Sequence, residues 1–238
     1  MDLFITGVVD GHYNAAYTAV LGTKGAVYEW VQRKHHRWRL DAGQICRYGL
    51  AHVLDPGKTW WEDTELHERL VKSVVFHKGG ALNVLVCEDL ARIDPAQIFL
   101  RSLGPNLIVA LLLDGPQLEY RWPGQCATVL ADDPGSSVLT LTSLGMLRRV
   151  DASDRESGIK KPSDPMEWNI ALWKEAGKRA RPVRLRSGAH GLLLTLSFSH
   201  EEQKTLDRRS DHGTTLRVSF AQSRQVIHPN PPDWVGWG

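Results

Sequence analysis

Cysteine is scarce. Cys46, Cys87 and Cys126 are the whole supply in 238 residues, and their wide, irregular spacing builds neither a disulfide framework nor a CxxC metal site. A reducing, cytoplasmic setting is the simplest expectation. Long apolar runs are lacking too: the longest, such as residues 107–113, fall far short of the roughly 18 to 20 residues a membrane helix needs. No membrane partner is expected. There is no strong excess of charge, with 29 Lys and Arg against 27 Asp and Glu. That balance argues against wholesale electrostatic binding of nucleic acid, so direct contact with nucleic acid is not expected, although a local basic patch fits within it. No internal repeat or heptad pattern is present, and Met1-Asp2-Leu3 leads straight into strand-like sequence without a charged leader, so no signal peptide is expected. What is present is 42% hydrophobic residues, 9 of them Trp, enough to bury a sizeable core as one domain over residues 1–238.

The first third of the chain reads as β-structure. Residues 3–9, 15–21 and 26–31 are β-rich and are separated by turn chemistry at 10–14 and 22–25, which predicts an antiparallel meander inside a larger sheet. Residues 34–61 are irregular, rich in Arg, His, Trp, Gly and Pro. Residues 62–72 carry Leu66 and Leu70 four apart, a weak helical signal. Strands are expected at 74–76 and 82–86, joined by a hairpin. Asp94-Pro95 then opens a predicted helix to about Leu103, with Asp94 as N-cap. A strand at 107–113, a helix at 123–131 and a strand at 136–142 complete a strand-helix alternation that calls for a parallel sheet with helices outside. Residues 148–165 read as an exposed, charged loop, 168–176 as a helix presenting Ile170, Leu172 and Trp173, and 191–198 and 215–220 as returning strands. Residues 205–211 read as a solvated charged loop. The Pro-rich stretch 228–234 reads as a surface extension.

Two stretches carry candidate chemistry. Val86-Cys87-Glu88-Asp89 places a thiol at the carboxyl end of a buried strand, where open α/β sheets place their chemistry; its plainer reading is a core cysteine. Upstream, Tyr28-Glu29-Trp30-Val31-Gln32-Arg33-Lys34-His35-His36 ends a strand in a basic cluster whose plainer reading is a solvated edge. His35 and His36 are not a metal pair by spacing alone, because adjacent strand side chains point apart. An ammonium beside a thiol lowers the thiol pKa and stabilises the oxyanion of acyl transfer. Glu88 and Asp89 are expected to be structural, for example as caps of the next helix. Cys46 and Cys126 lack such settings and are expected to be core or loop thiols. Arg121-Trp122 either lines the site or packs.

A strand ending in Gln-Arg-Lys-x-His, a long loop, strand-Cys-Glu-Asp, helix, apolar strand, helix and a strand ending near Ser143-Leu144-Gly145-Met146 together resemble the carbon-nitrogen hydrolase (nitrilase) superfamily. The resemblance covers residues 3–146, with 1–147 as the best-matched core, 148–165 as an exposed loop and 166–238 as C-terminal strands and tail. Lys34 matches the family's catalytic lysine and Cys87, 53 positions later, its nucleophile. The implied fold is an α/β, nitrilase-like α-β-β-α sandwich, N-terminally truncated, because the family's general-base glutamate precedes the segment matched by residues 3–9. The implied chemistry is a Glu-Lys-Cys triad acting through a thioester, with no metal or organic cofactor. Glu62, 25 positions before Cys87, is the candidate to serve as the glutamate. Glu65 is the fallback, and Gln44 occupies the matching place under another alignment of the loop.

The resemblance implies a thiol-dependent amidohydrolase cleaving a non-peptide carbon-nitrogen bond in a small amide or nitrile-like substrate. A homo-oligomer is implied on the same ground, since such domains commonly dimerise. The rival is a catalytically inactive nitrilase-like scaffold or binding domain, or one piece of a larger, reverse-transcriptase-associated polypeptide.

Overall fold

In the computed structural model, which describes residues 2–10, 12–22, 25, 27–67, 69–76, 79–156, 158, 166–202, 204 and 214–229, alternation with a period of two organises the centre. In β7 (Gly80–Val86) and β8 (Leu107–Leu112), Leu82, Val84, Val86, Leu107, Val109 and Leu111 bury one face; Leu85, Ile108, Ala110 and Leu112 bury the other. A strand with both faces covered reads as a continuous apolar run, as these do. β7, β8 and β9 (Ser137–Thr142) pair in parallel. Antiparallel β6 (Ser73–Phe76) adds on one side, and β10 (Glu167–Lys174) and β11 (Arg181–Arg186) on the other, giving the order β11-β10-β9-β8-β7-β6.

The parallel pairs require crossovers, and helices α2 (Ile98–Leu103) and α3 (Trp122–Asp132) supply them. α3 brings Ala127, Leu130 and Ala131, and α2 brings Leu100, onto the face formed by Ile108 and Ala110. The opposite face meets a second β layer. That layer holds an antiparallel meander of β1 (Asp2–Asp10), β2 (Tyr13–Leu21) and β3 (Val27–Arg33) and a ribbon of β12 (Gly191–Glu202) and β13 (Thr214–Val226). Ala16 of β2 and Val218 of β13 enter the shared core. Helix, sheet and second β layer therefore stack in the mixed α/β arrangement expected. Short elements bridge meander and sheet: β4 (Arg39–Leu40), α1 (Ala42–Arg47) and β5 (Trp60–Trp61). Among the described residues no helix is long and apolar enough to cross a membrane.

Several local expectations are overturned. The meander is a sheet of its own and not part of the larger one. The described residues of 62–72 form no helix, because their backbone groups are spent elsewhere: Glu65 N donates to His12 O, Gln32 Nε2 to Leu70 O and Lys72 N to Gln32 Oε1. Where a helix is expected over 168–176 the structure has the strand β10 up to Lys174, and the contiguous burial of Ala171, Leu172, Trp173 and Lys174 between β9 and β11 hides the period of two. Most of 148–165 that the structure describes belongs to helix α4 (Leu144–Glu156), started by Met146 N donating to Ser143 Oγ and supported by an Arg155–Asp151 pair at 2.6 Å. Asp94 does not cap with its side chain; a single π turn at Ile93–Gln97 leads into α2, which ends at left-handed Gly104. The charged segment 205–211 and most of the stretch 228–234 lie outside the described residues.

Leu130 is fully buried between α3 and the sheet, whereas Val129 on the same helix is 45% exposed. Leu130→Ala is expected to cost about 2–5 kcal/mol of unfolding free energy and Val129→Ala about 0.5 or less, read as shifts of the urea midpoint at constant slope.

Candidate active site

Three strand ends meet at Cys87. The residue follows β7, opens a 3₁₀ turn (Cys87–Leu90) and has φ of +49°, the one positive φ of a non-glycine residue among those described. A side chain in this region costs about 1–3 kcal/mol, a strain that concentrates at functional positions. The Leu113 backbone N–H, just beyond β8, acts on the Cys87 thiol to lower its pKa. Cys87 is half-buried against the core shared by the two β layers.

Lys34 comes from the other layer. It follows β3, its backbone N–H bonds Asn14 O at 2.8 Å, and its side chain is 2% exposed. Its ammonium is paired with Glu62, the residue after β5. Glu62 also accepts from Asn14 Nδ2 at 2.8 Å and from Trp38 N at 2.9 Å. Burial pushes its carboxyl pKa up, but the Lys34 bond and charge and the Asn14 and Trp38 donors outweigh that and hold it below the ordinary value. Glu62 is thus a fully engaged counter-ion.

Asp89 fastens the two halves together. Its buried carboxylate accepts from His35 N at 3.0 Å and His36 N at 2.9 Å and meets His36 Nδ1 at 3.0 Å, while His36 Nε2 reaches Asp94 O at 2.7 Å. The structural role expected of Asp89 is present, but as a tie between layers and not as a helix cap. Glu88 pairs with Arg92 at 2.6 Å.

Electrostatics at the thiol oppose one another. Burial raises the Cys87 pKa; the Lys34 ammonium and the Leu113 N–H lower it; Glu62 and Glu88 raise it; the net direction is up. At neutral pH Cys87 is a thiol. Tyr48, just past α1, has its hydroxyl pKa raised by burial and then by the Asp114 carboxylate, with Cys87 also acting on it. Asp114 itself pairs with Arg121 at 2.8 Å.

Sequence reasoning therefore placed Lys34, Glu62 and Cys87, and the structure brings these three together. It missed Tyr48 and Asp114. For Asp114 a signal existed, an acid-glycine-proline turn at the carboxyl end of an apolar strand; for Tyr48 there was none. Glu65 lies apart, bonded to Tyr13 and His67 near the surface. Gln44 closes a capping box with Asp41 at the start of α1. Cys46 is exposed on α1, and Cys126 is half-buried on α3 against its core, burial raising its pKa. Among the described residues no cluster of three or more His, Cys, Asp or Glu able to hold a metal occurs.

Glu62→Gln leaves the Lys34 ammonium buried without its anion and is expected to cost about 3–5 kcal/mol at neutral pH. Because the folded-state pKa of Glu62 lies below its unfolded value of about 4.5, this contribution is present above that pH and lost as pH falls through the folded value. Urea titrations of both proteins should show the gap in stability closing in acid.

No protein-family model matches the sequence, and no curated protein matches it. Solved structures with a similar fold include an amidase of the nitrilase superfamily from Nesterenkonia AN1, at 10% identity and a TM-score of 0.44, covering 92% of this chain and 60% of that one. Glutamine-dependent NAD+ synthetase from Acinetobacter baumannii aligns at 14% identity and a TM-score of 0.42, over 97% of this chain and 33% of that one. A CN-hydrolase superfamily protein from Xanthomonas campestris, with an arsenic adduct in its active site, aligns at 13% identity and a TM-score of 0.36, over 77% and 61%. The chain spans less than two thirds of the length of each. Two of these three are named as nitrilase-superfamily or CN-hydrolase-superfamily proteins.

Proposed function

We propose that the chain carries the site of a thiol-dependent amidohydrolase that cleaves a non-peptide carbon-nitrogen bond in a small amide or nitrile-like molecule. The observation that supports this reading is the meeting of a strained cysteine with a buried lysine whose ammonium is the strongest charge lowering its thiol pKa. In this reading the Cys87 sulfur attacks the amide carbon, the carbon-nitrogen bond breaks as the departing nitrogen takes up the thiol's proton and leaves as the amine, and water later releases the acyl group from the thioester as a carboxylic acid, returning the thiol. Lys34 steadies the thiolate and the oxyanion that develops on the substrate. Glu62 holds Lys34 in place. Self-association into a homo-oligomer belongs to the same reading, and no cofactor is called for.

One observation favours a second reading, a non-catalytic scaffold within a larger assembly such as a reverse-transcriptase-associated polypeptide. A thiol with a raised pKa needs a proton acceptor. Of the carboxylates acting most on Cys87, Glu62 is engaged by Lys34, Asn14 and Trp38, and Glu88 by Arg92.

Labelling with iodoacetamide across pH, mapped by peptide mass spectrometry, separates the two. The enzyme reading expects Cys87 to be labelled, at a rate that climbs toward alkaline pH because burial keeps the thiol protonated, and that label to be absent in Cys87→Ala. Lys34→Met removes the charge that lowers the thiol pKa, so its profile should move to still higher pH. Labelling of Cys46 with none at Cys87 even in alkali would reject the enzyme in favour of the scaffold.

A further inference from the structure

The turn from β10 to β11 holds a cavity of about 230 Å³ lined by Trp173, Glu175, Lys178, Arg179, Arg181 and Phe220. It lies at the far end of the sheet from Cys87. Cys87 follows the carboxyl end of β7, which runs parallel to β8 and β9, whereas Lys174, the last residue before the turn, pairs with Val138 near the amino end of β9. Strands of six residues, rising about 3.3 Å per residue, separate the two ends.

The cavity has a fixed floor. Glu175 is 5% exposed, and its carboxylate accepts from Trp173 Nε1 at 2.7 Å, Ser219 Oγ at 3.1 Å, Phe220 N at 3.3 Å and Lys178 Nζ. Burial pushes its pKa up, but Lys178, Trp173 and the Phe220 N–H outweigh that and hold the carboxyl below its ordinary value. Four donors fill the roughly four acceptor sites of an ionised carboxylate. Glu175 therefore has nothing left to offer a ligand, and its charge is met by Lys178. Lys174 Nζ closes the turn, donating to Glu175 O at 3.2 Å and to Lys178 O.

The charge that remains is positive. Arg179 and Arg181 are exposed, and neither guanidinium has an ion pair or a hydrogen bond among the described residues. Arg184 and Arg186, farther along β11, are instead both paired with Glu167. The Arg181 guanidinium lies over the Phe220 ring, 4.1 Å from its centroid, and Phe220 packs on buried Trp173 with 5.9 Å between ring centroids. A guanidinium stacked by its face keeps its N–H fork for an oxyanion. Two guanidinium forks on one small cavity, with no acid left to neutralise them, match a ligand with two negative charges and three acceptor oxygens. A phosphate monoester has both, whereas a carboxylate occupies one fork and leaves the other unmet. The cavity is smaller than the roughly 300–1,000 Å³ of sites for drug-sized ligands, which limits the occupant to a small molecule.

We propose that this cavity is a phosphate-binding site, in which Arg179 and Arg181 clamp the dianion and Phe220 fixes the plane of Arg181. The site is independent of the role of Cys87. Two sources share the chemistry, inorganic phosphate and a small organic phosphate monoester.

Isothermal titration calorimetry of the full chain in phosphate-free buffer, with phenyl phosphate, inorganic phosphate and benzoate as ligands, tests the assignment. Both phosphates should bind saturably at one site per chain. Benzoate, a monoanion, should bind about tenfold or more weakly than phenyl phosphate, the size of one hydrogen bond between charged groups. Tighter binding of phenyl phosphate than of inorganic phosphate assigns the site to an organic monoester; inorganic phosphate binding as tightly or more tightly assigns it to the free anion. Arg179→Gln and Arg181→Gln should each weaken the phosphates about tenfold, while Arg184→Gln, outside the cavity, should change them by about twofold or less. Affinity unchanged in both cavity variants, or lost equally in Arg184→Gln, would overturn the site. So would the absence of saturable binding of either phosphate at millimolar concentration, or benzoate binding as tightly as phenyl phosphate, and these two comparisons need no variant to fold.

Discussion

Only 2% of the Lys34 side chain meets solvent, and removing an ammonium from water costs several kcal/mol unless an anion meets it. Much of the local architecture is the consequence. Glu62 must be ionised and aimed, so Asn14 from β2 and the Trp38 backbone hold its oxygens. Those bonds in turn fix how the irregular segment after β3 returns to β5, since Glu62 N also bonds Trp38 O at 2.8 Å. Residues 34–61 are thus ordered by one buried charge pair more than by their own helical or strand propensity.

The second constraint is at Cys87, where strain and burial act together. A positive φ turns the chain out of the strand at the sulfur-bearing residue, and the turn that follows places Asp89 where it accepts the amides of His35 and His36. Burial raises the thiol pKa, and the nearby ammonium and N–H only partly offset it. The same desolvation that holds the thiol protonated strengthens each charge interaction made once it ionises, so the site couples a weak resting acid to a strong field.

Legibility in the sequence followed the physics of each segment. Residues 82–86 and 107–112 were readable because burial on both faces leaves long apolar runs, and Cys87 was readable because the run stops there. The same full burial makes 168–174 ambiguous between strand and helix. α4 was missed for the opposite reason: few of its residues are buried, Leu147 and Asp151 among them, so its stability comes from a Ser143 cap and the Asp151–Arg155 pair, which leave no apolar stripe. Lys34, Glu62 and Cys87 are candidates of the family resemblance, and the structure pairs Lys34 with Glu62 and puts both among the charges acting on Cys87. Asp114 was passed over because its partner Arg121 lies seven residues on, beyond a turn whose path depends on Gly115 and Gly124.

Neither β layer holds the site alone. The meander delivers Lys34, the six-stranded sheet delivers Cys87 and the loop with Asp114, and the Asp89 carboxylate is the polar fastening between them. Apolar packing of Ala16 against Leu82, Val84 and Val86 brings the layers together but is indifferent to sliding, because dispersion and desolvation have no direction. Hydrogen bonds do have direction. Three nitrogens of His35 and His36 bonded to one buried carboxylate select a single register between the layers, and that register decides where the Lys34 ammonium stands relative to the sulfur. The geometry at Cys87 is therefore a property of how two sheets are locked together, and substitutions at the lock act on the thiol without touching it.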